Sequence, residues 1–175
     1  MKIELKKLNA LQHAVLPFSE VIDLKDEKMY GRNPFQSPVY VEGEVSNESG
    51  VLRLKGSIRT VYSTECARCL KPLDIPLEAE ADMILSDDPE AEEEDDLFVL
   101  TGDSVDPADV LVPALILQVQ MTYLCKEDCK GLCPHCGANL NEQDCGHAAQ
   151  IEESRRPASP FAALADLKLD EEDGK

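Results

Sequence analysis

Apolar and polar residues alternate along much of the first half of this chain, and that period of two predicts strands. Residues 2–8 alternate through Ile3 and Leu5, which predicts a short strand. Phe18 to Leu24 alternates again through Val21 and Ile22. Residues 25–38 are polar, hold Gly31, Pro34 and Pro38, and read as a loop. Val39, Val41 and Val45 mark the next strand, and Ser46-Asn47-Glu48-Ser49-Gly50 a turn. Val51, Leu52, Leu54, Ile58, Val61 and Tyr62 then give one long strand, or two short ones broken near Gly56. Leu73 to Leu85 alternates cleanly, with Pro76 placing that strand near a sheet edge. Residues 39–85 therefore predict an antiparallel meander.

The pattern changes at residue 87. Eight of the ten residues from Asp87 to Asp96 are acidic, which predicts a solvated loop within an acidic stretch over 86–109. Leu97-Phe98-Val99-Leu100 is a short strand. Asp106 reads as a helix N-cap with Pro107 at the first helical position. Residues 107–121 are densely apolar and predict a buried helix, in which Pro113 should produce a kink or mark the true start. The expected fold is α+β: an antiparallel sheet or partly open barrel, one buried helix and a zinc-knuckle C-terminal segment. The expected organisation is an α+β domain over 1–121, a metal-binding segment over 122–148, and a mostly disordered tail over 149–175. Within that tail, Phe161, Leu164 and Leu167 suggest a docking helix near 160–168.

Composition narrows the function classes. The 175 residues contain no Trp and few aromatics, so the core should be mostly aliphatic. No apolar run is long enough to span a bilayer, and the charged start, Met1-Lys2-Ile3-Glu4-Leu5, lacks a signal-peptide core. A reduced, cytoplasmic setting is expected, where seven cysteines are better read as metal ligands than as disulfides. Net charge is −18. Without the eleven acids of Asp87–Asp109, 24 acids still face 17 bases. Binding nucleic acid independently rests on Lys and Arg contacts to phosphates, so this balance favours a basic protein partner.

The chemistry is concentrated in cysteines. Cys125-x3-Cys129-x3-Cys133-Pro134-His135-Cys136-Gly137, followed by Cys145-Gly146-His147, packs five thiols and two imidazoles into 23 residues. Thiolates and imidazoles at these gaps suit a tetrahedral zinc site. Cys66-x2-Cys69 forms a second knuckle without the βαβ context of a redox motif. The ligand candidates are Cys66, Cys69, Cys125, Cys129, Cys133, Cys136, Cys145 and His147. His135, inside the knuckle, points away from where its cysteines converge. Eight ligands make two closed sites, and the pairing stays open. Cys66/Cys69 could join Cys125/Cys129 or Cys133/Cys136, and a single site from Cys129, Cys133, Cys136 and Cys145 is the conservative version. Every arrangement fills all four positions with protein atoms, the structural rather than the catalytic pattern. The expectation is one or two structural zinc ions per chain. Arg68, Lys71, Lys126 and Lys130 flank the knuckles and are candidates for contact with RNA or a partner. No catalytic constellation appears: no Ser occupies a nucleophile elbow, and His13 is isolated.

These residues resemble the YceD family, the large ribosomal RNA subunit accumulation proteins. The resemblance rests on Cys66-Ala67-Arg68-Cys69-Leu70-x-Pro72, the acidic loop and the apolar helix. It continues through Leu124-Cys125-x3-Cys129-x-Gly131-Leu132-Cys133-Pro134-x-Cys136-Gly137-x-Asn139-Leu140-Asn141 and closes on Pro160-Phe161-Ala162-x-Leu164-Ala165-x-Leu167. One departure is the terminal pair, often Cys-x-Cys, which here ends on His147. Some members lack most of these cysteines, which implies that metal stabilises the fold and does not perform the shared task. The resemblance implies a non-enzymatic role in accumulation or processing of 23S ribosomal RNA. The implied partners are a ribosomal precursor complex, a basic ribosomal protein or a processing factor, with no small-molecule substrate and no membrane. The alternatives are a metal-responsive sensor or adaptor unrelated to ribosomal RNA, and a hydrolase built on the acidic loop.

Overall fold

A computed structural model describes residues 1–9, 11, 13–88 and 96–147. Its described residues resolve into two compact units, one drawn from 1–66 and 71–125, the other from 67–70 and 126–147. In the first unit the order is β1 (Ile3–Glu4), α1 (Lys6–Asn9), β2 (Val15–Ile22), β3 (Val39–Glu48), β4 (Val51–Glu65), β5 (Pro72–Ser86), β6 (Leu97–Val99), β7 (Ser104–Val105) and α2 (Pro107–Leu117).

The alternating segments form the sheet. Strands β2-β3-β4-β5-β6 lie side by side in that order and curl into a half-barrel, while β1 pairs separately with β7. The pairs from β2 to β5 are antiparallel, and β6 runs parallel to β5. Each inward position follows the period of two: Val39, Val41 and Val45 on β3 and Leu54 and Ile58 on β4 are almost completely buried. Alternate residues, including Glu42, Glu44, Arg53 and Arg59, face solvent. β4 is one unbroken strand across Gly56, and β5 reaches β6 only at Ile84–Ser86. Pro76, which cannot donate to a ladder, pairs with Val61 of β4 upstream of that stretch.

Helix α2 covers the buried face and packs on β3, β4 and β5. Asp106 caps it, its Oδ1 accepting from the Ala108 N–H at 3.1 Å, and Pro107 follows at the first helical position. Leu111 and Leu115 are fully buried, each contributing about 2 kcal/mol of transfer free energy. Phe35 meets Tyr62 edge-on at 5.7 Å, and Phe18 is the other buried ring in a mostly aliphatic core. Buried Asn47 is satisfied on both sides: its Nδ2 donates to the Leu8 carbonyl and its Oδ1 accepts from the Gly50 N–H, both at 2.8 Å.

Four expectations are revised. The strand expected over residues 2–8 stops at Glu4, and Lys6–Asn9 is a helical turn, because β1 finds only the two residues of β7 to pair with. The turn expected over Ser46–Gly50 shrinks to Ser49-Gly50, both with positive φ (57° and 95°), which lets β3 run on to Glu48. Helix α2 ends at Leu117, not 121, since Leu117 and Met121 find no core to bury in and are 83% and 91% exposed. Pro113 lies inside α2 and does not start it; it supplies no N–H to the carbonyl of Asp109, a loss the buried apolar face outweighs. The tail helix near 160–168 and most of the acidic run lie outside the described residues. No helix among the described residues is long and apolar enough to cross a membrane.

Candidate metal centres

Two turns of the same design present cysteines. In Cys133–Gly137 the Cys133 N–H donates to the Ala138 carbonyl at 2.8 Å and the Gly137 N–H to the Cys133 carbonyl at 2.8 Å. Gly137 takes φ 73°. In Cys66–Leu70 the Cys66 N–H donates to the Lys71 carbonyl at 2.8 Å, the same five-residue reach, and Leu70 takes φ 60°. The second of these turns aims the backbone N–H groups of His135 and Cys136 at the Cys133 sulfur. That arrangement stabilises a thiolate, which is the form that binds metal.

Around the second turn, Leu132 bridges to Asn139 as a one-rung antiparallel ladder, and the Leu140 N–H donates to the Gly131 carbonyl at 2.9 Å. Gly131, at φ 77°, lies against Arg68, whose carbonyl accepts from the Leu132 N–H at 3.1 Å. The Arg68 guanidinium donates to the carbonyls of Cys129 at 2.9 Å and Glu127 at 3.4 Å. Of the four flanking cations, Arg68 is thus engaged in holding the 127–132 segment. Lys126 stands 3.8 Å from Asp128, and Lys130 is exposed. Lys71 is exposed at the start of β5's hairpin.

The eight expected ligands fall into two groups among the described residues: Cys66, Cys69, Cys125 and Cys129, and Cys133, Cys136, Cys145 and His147. Within each group the ligand atoms all lie within 4.8 Å of one another. This is the first of the pairings left open by the spacing. A tetrahedron with metal–sulfur bonds of about 2.3 Å separates its sulfurs by roughly 3.8 Å, so both donor sets fit a small tetrahedral cation. Cys133 Sγ lies 3.9 Å from His147 Nδ1, so Nδ1 is the ring nitrogen that faces that thiol. His135 is outside both groups, its ring 5.8 Å from that of His147.

The electrostatics of the second group favour a cation. Burial pushes the Cys133 thiol up, but the N–H groups of Cys136 and His135 and the neighbouring Cys145 and Cys136 thiols outweigh it, and its pKa falls to about 6. Cys145 moves the other way. The His147 N–H lowers it, yet burial and the Cys133 and Cys136 sulfurs prevail and raise it. One thiolate forms readily and hinders the next; a divalent cation at the centre removes that conflict.

The model of a family described as large ribosomal RNA subunit accumulation protein YceD matches residues 54–168. The chain belongs to the YceD family. The YceD match takes in most of β4, all of β5 and α2, and all eight ligand candidates; β1, β2 and β3 precede it. Among curated relatives, the chloroplastic YCED homolog 1 of Zea mays is 30% identical over 138 residues, covering 61% of this chain and 47% of the relative. Its namesake from Arabidopsis thaliana is 28% identical over 172 residues, covering 80% of this chain and 51% of the relative. An uncharacterized protein of Mycobacterium tuberculosis is 29% identical over 111 residues, covering 61% and 53%. The chain spans about half the length of the curated relatives it matches. No solved structure matches it.

Proposed function

We propose that this YceD protein is a non-enzymatic factor that promotes accumulation or processing of 23S ribosomal RNA, held in shape by structural zinc. The observation that carries the reading is the family match, which encloses both candidate metal groups. Each group offers four protein donors, and a tetrahedral ion so held keeps no open position for water or substrate. Metal in that setting contributes folding free energy and leaves the task to surfaces the fold presents. A net charge of −18 suits association with basic ribosomal proteins or a processing factor better than direct capture of RNA phosphates. Arg68, Lys71, Lys126 and Lys130 are all exposed beside the knuckles and are the residues to examine for RNA contact, the three lysines first because Arg68 is engaged with the Cys129 and Glu127 carbonyls, with the work carried out in the cytoplasm.

The partner claim is tested by crosslinking in living cells followed by affinity capture of the full chain. Large-subunit precursor RNA or large-subunit ribosomal proteins should be enriched over small-subunit ones. Recovery of neither class removes the proposal.

A further inference from the structure

The Asn139-Leu140-Asn141 stretch has no ligand atom, yet its two amides form a relay that ends on a ligand sulfur. Asn141 Nδ2 lies 3.4 Å from the Sγ of Cys129. Two independent constraints fix which end of the Asn141 amide faces that sulfur. The Lys130 N–H, which can only donate, sits 2.9 Å from Asn141 Oδ1, so that end must be the oxygen. On the other side, Glu142 presents a carboxylate, which can only accept, to Asn139 Nδ2 at 2.8 Å. The Asn139 oxygen is thereby turned toward Asn141, where it accepts from Nδ2 at 2.8 Å and from the backbone N–H at 3.1 Å. Both chains of reasoning put the Asn141 NH2 group toward Cys129.

We propose that Asn141 is a positioning residue for the Cys129 thiolate, donating an N–H···S hydrogen bond whose direction is set by Glu142 through Asn139. Cys129 is 2% exposed, so water does not supply that hydrogen bond in its place. A hydrogen bond to a thiolate draws charge off the sulfur. It lowers the energy of the sulfur lone pairs and holds the ligand aimed at the metal, and losing that aim outweighs the stronger donation of a bare thiolate. Outer-sphere partners of this kind typically change metal affinity 10- to 100-fold.

This inference rests on the reading of Cys129 as a metal ligand, and the test separates the two. The full chain, wild type and Asn141→Asp, is loaded with cobalt(II), which takes zinc's tetrahedral place and absorbs through thiolate-to-metal charge transfer. Asn141→Asp keeps an oxygen for the Lys130 N–H, removes the NH2 group that donates to the Cys129 sulfur and to Asn139 Oδ1, and adds a negative charge. The uncharged Asn141→Leu removes the same donor, and its band must move the same way. The expected result is about tenfold weaker binding together with a charge-transfer band moved to longer wavelength, as the thiolate lone pairs rise in energy. Loss of affinity with an unmoved band assigns Asn141 a structural role only and overturns the proposal. Wild-type protein that binds no cobalt overturns the metal reading itself. Should Asn141→Asp fail to fold, Asn139→Ala leaves Asn141 in place and removes the oxygen that orients it. A shift of the band in the same direction, smaller in size, then supports the relay, and an unshifted band overturns it.

Discussion

Gly43 of β3 and Gly56 of β4 face each other directly across the ladder, and neither has room for a side chain. A Cβ on Gly43 would collide with the Lys55 carbonyl oxygen and the Gly56 Cα, and one on Gly56 would come within 3.1 Å of both Leu111 and Phe18. Phe18 and Ala81 extend the same row on the neighbouring strands. The row is where the half-barrel lets the Phe18 ring and α2 approach its backbone. Gly43→Ala should therefore destabilise the protein by about 3 kcal/mol, because the obstruction is backbone that cannot swing aside. Urea denaturation of the two proteins measures it; a midpoint unchanged within error would mean the strands do not lie this close.

Leu111 reaches the same row from the helix side and is fully buried. Leu111→Ala should cost about 2–5 kcal/mol, from lost transfer free energy and the cavity left above Gly56. Leu117→Ala, on the same helix but 83% exposed, should lie within about 0.5 kcal/mol of wild type. Paired denaturation curves check both values, and equal effects would contradict the orientation of α2.

The sheet was legible because one face of it is buried. Alternation from Val39 to Leu85 marks strand, face and antiparallel order at once. The parallel pairing of β6 with β5 and the pairing of Ile3 with Val105 were not legible, since nothing local to Leu97–Val99 or Ile3–Glu4 names a partner. The candidate ligands were visible one by one from their spacing, but which four lie together is a tertiary fact. Asn141 entered only as part of the Asn139-Leu140-Asn141 motif, which gave it no role. Only the positions of Lys130, Asn139 and Glu142 give its amide a direction.

His147 is the one imidazole in the two candidate groups, and its Nδ1 faces Cys133. Native mass spectrometry of protein purified without added metal should find two zinc ions per chain. Cys136→Ala and His147→Ala should each lower that count toward one, and His147→Cys should restore it, since a thiolate serves the same tetrahedral position. A count unmoved by Cys136→Ala and by His147→Ala would place the ion elsewhere.

Leu70 and Gly137 occupy equivalent places in the two knuckles, both left-handed, but Leu70 has a side chain and is 57% exposed. A left-handed conformation costs a non-glycine residue about 1–2 kcal/mol, and glycine's extra freedom in the unfolded chain returns about half of that. Leu70→Gly should thus raise stability by up to about 1 kcal/mol, read as a shift of a few degrees in melting temperature. A clear loss of stability would show that the Leu70 side chain contributes packing that its exposure does not suggest.

The central claim is that this YceD protein sustains large-subunit ribosomal RNA. It is tested most directly by depleting the protein in the cells that express it and measuring the ratio of large- to small-subunit ribosomal RNA. The account predicts that the ratio falls, with large-subunit precursors altered, and that re-expression of the wild-type chain restores it. An unchanged ratio and unchanged subunit profiles after complete depletion would contradict it.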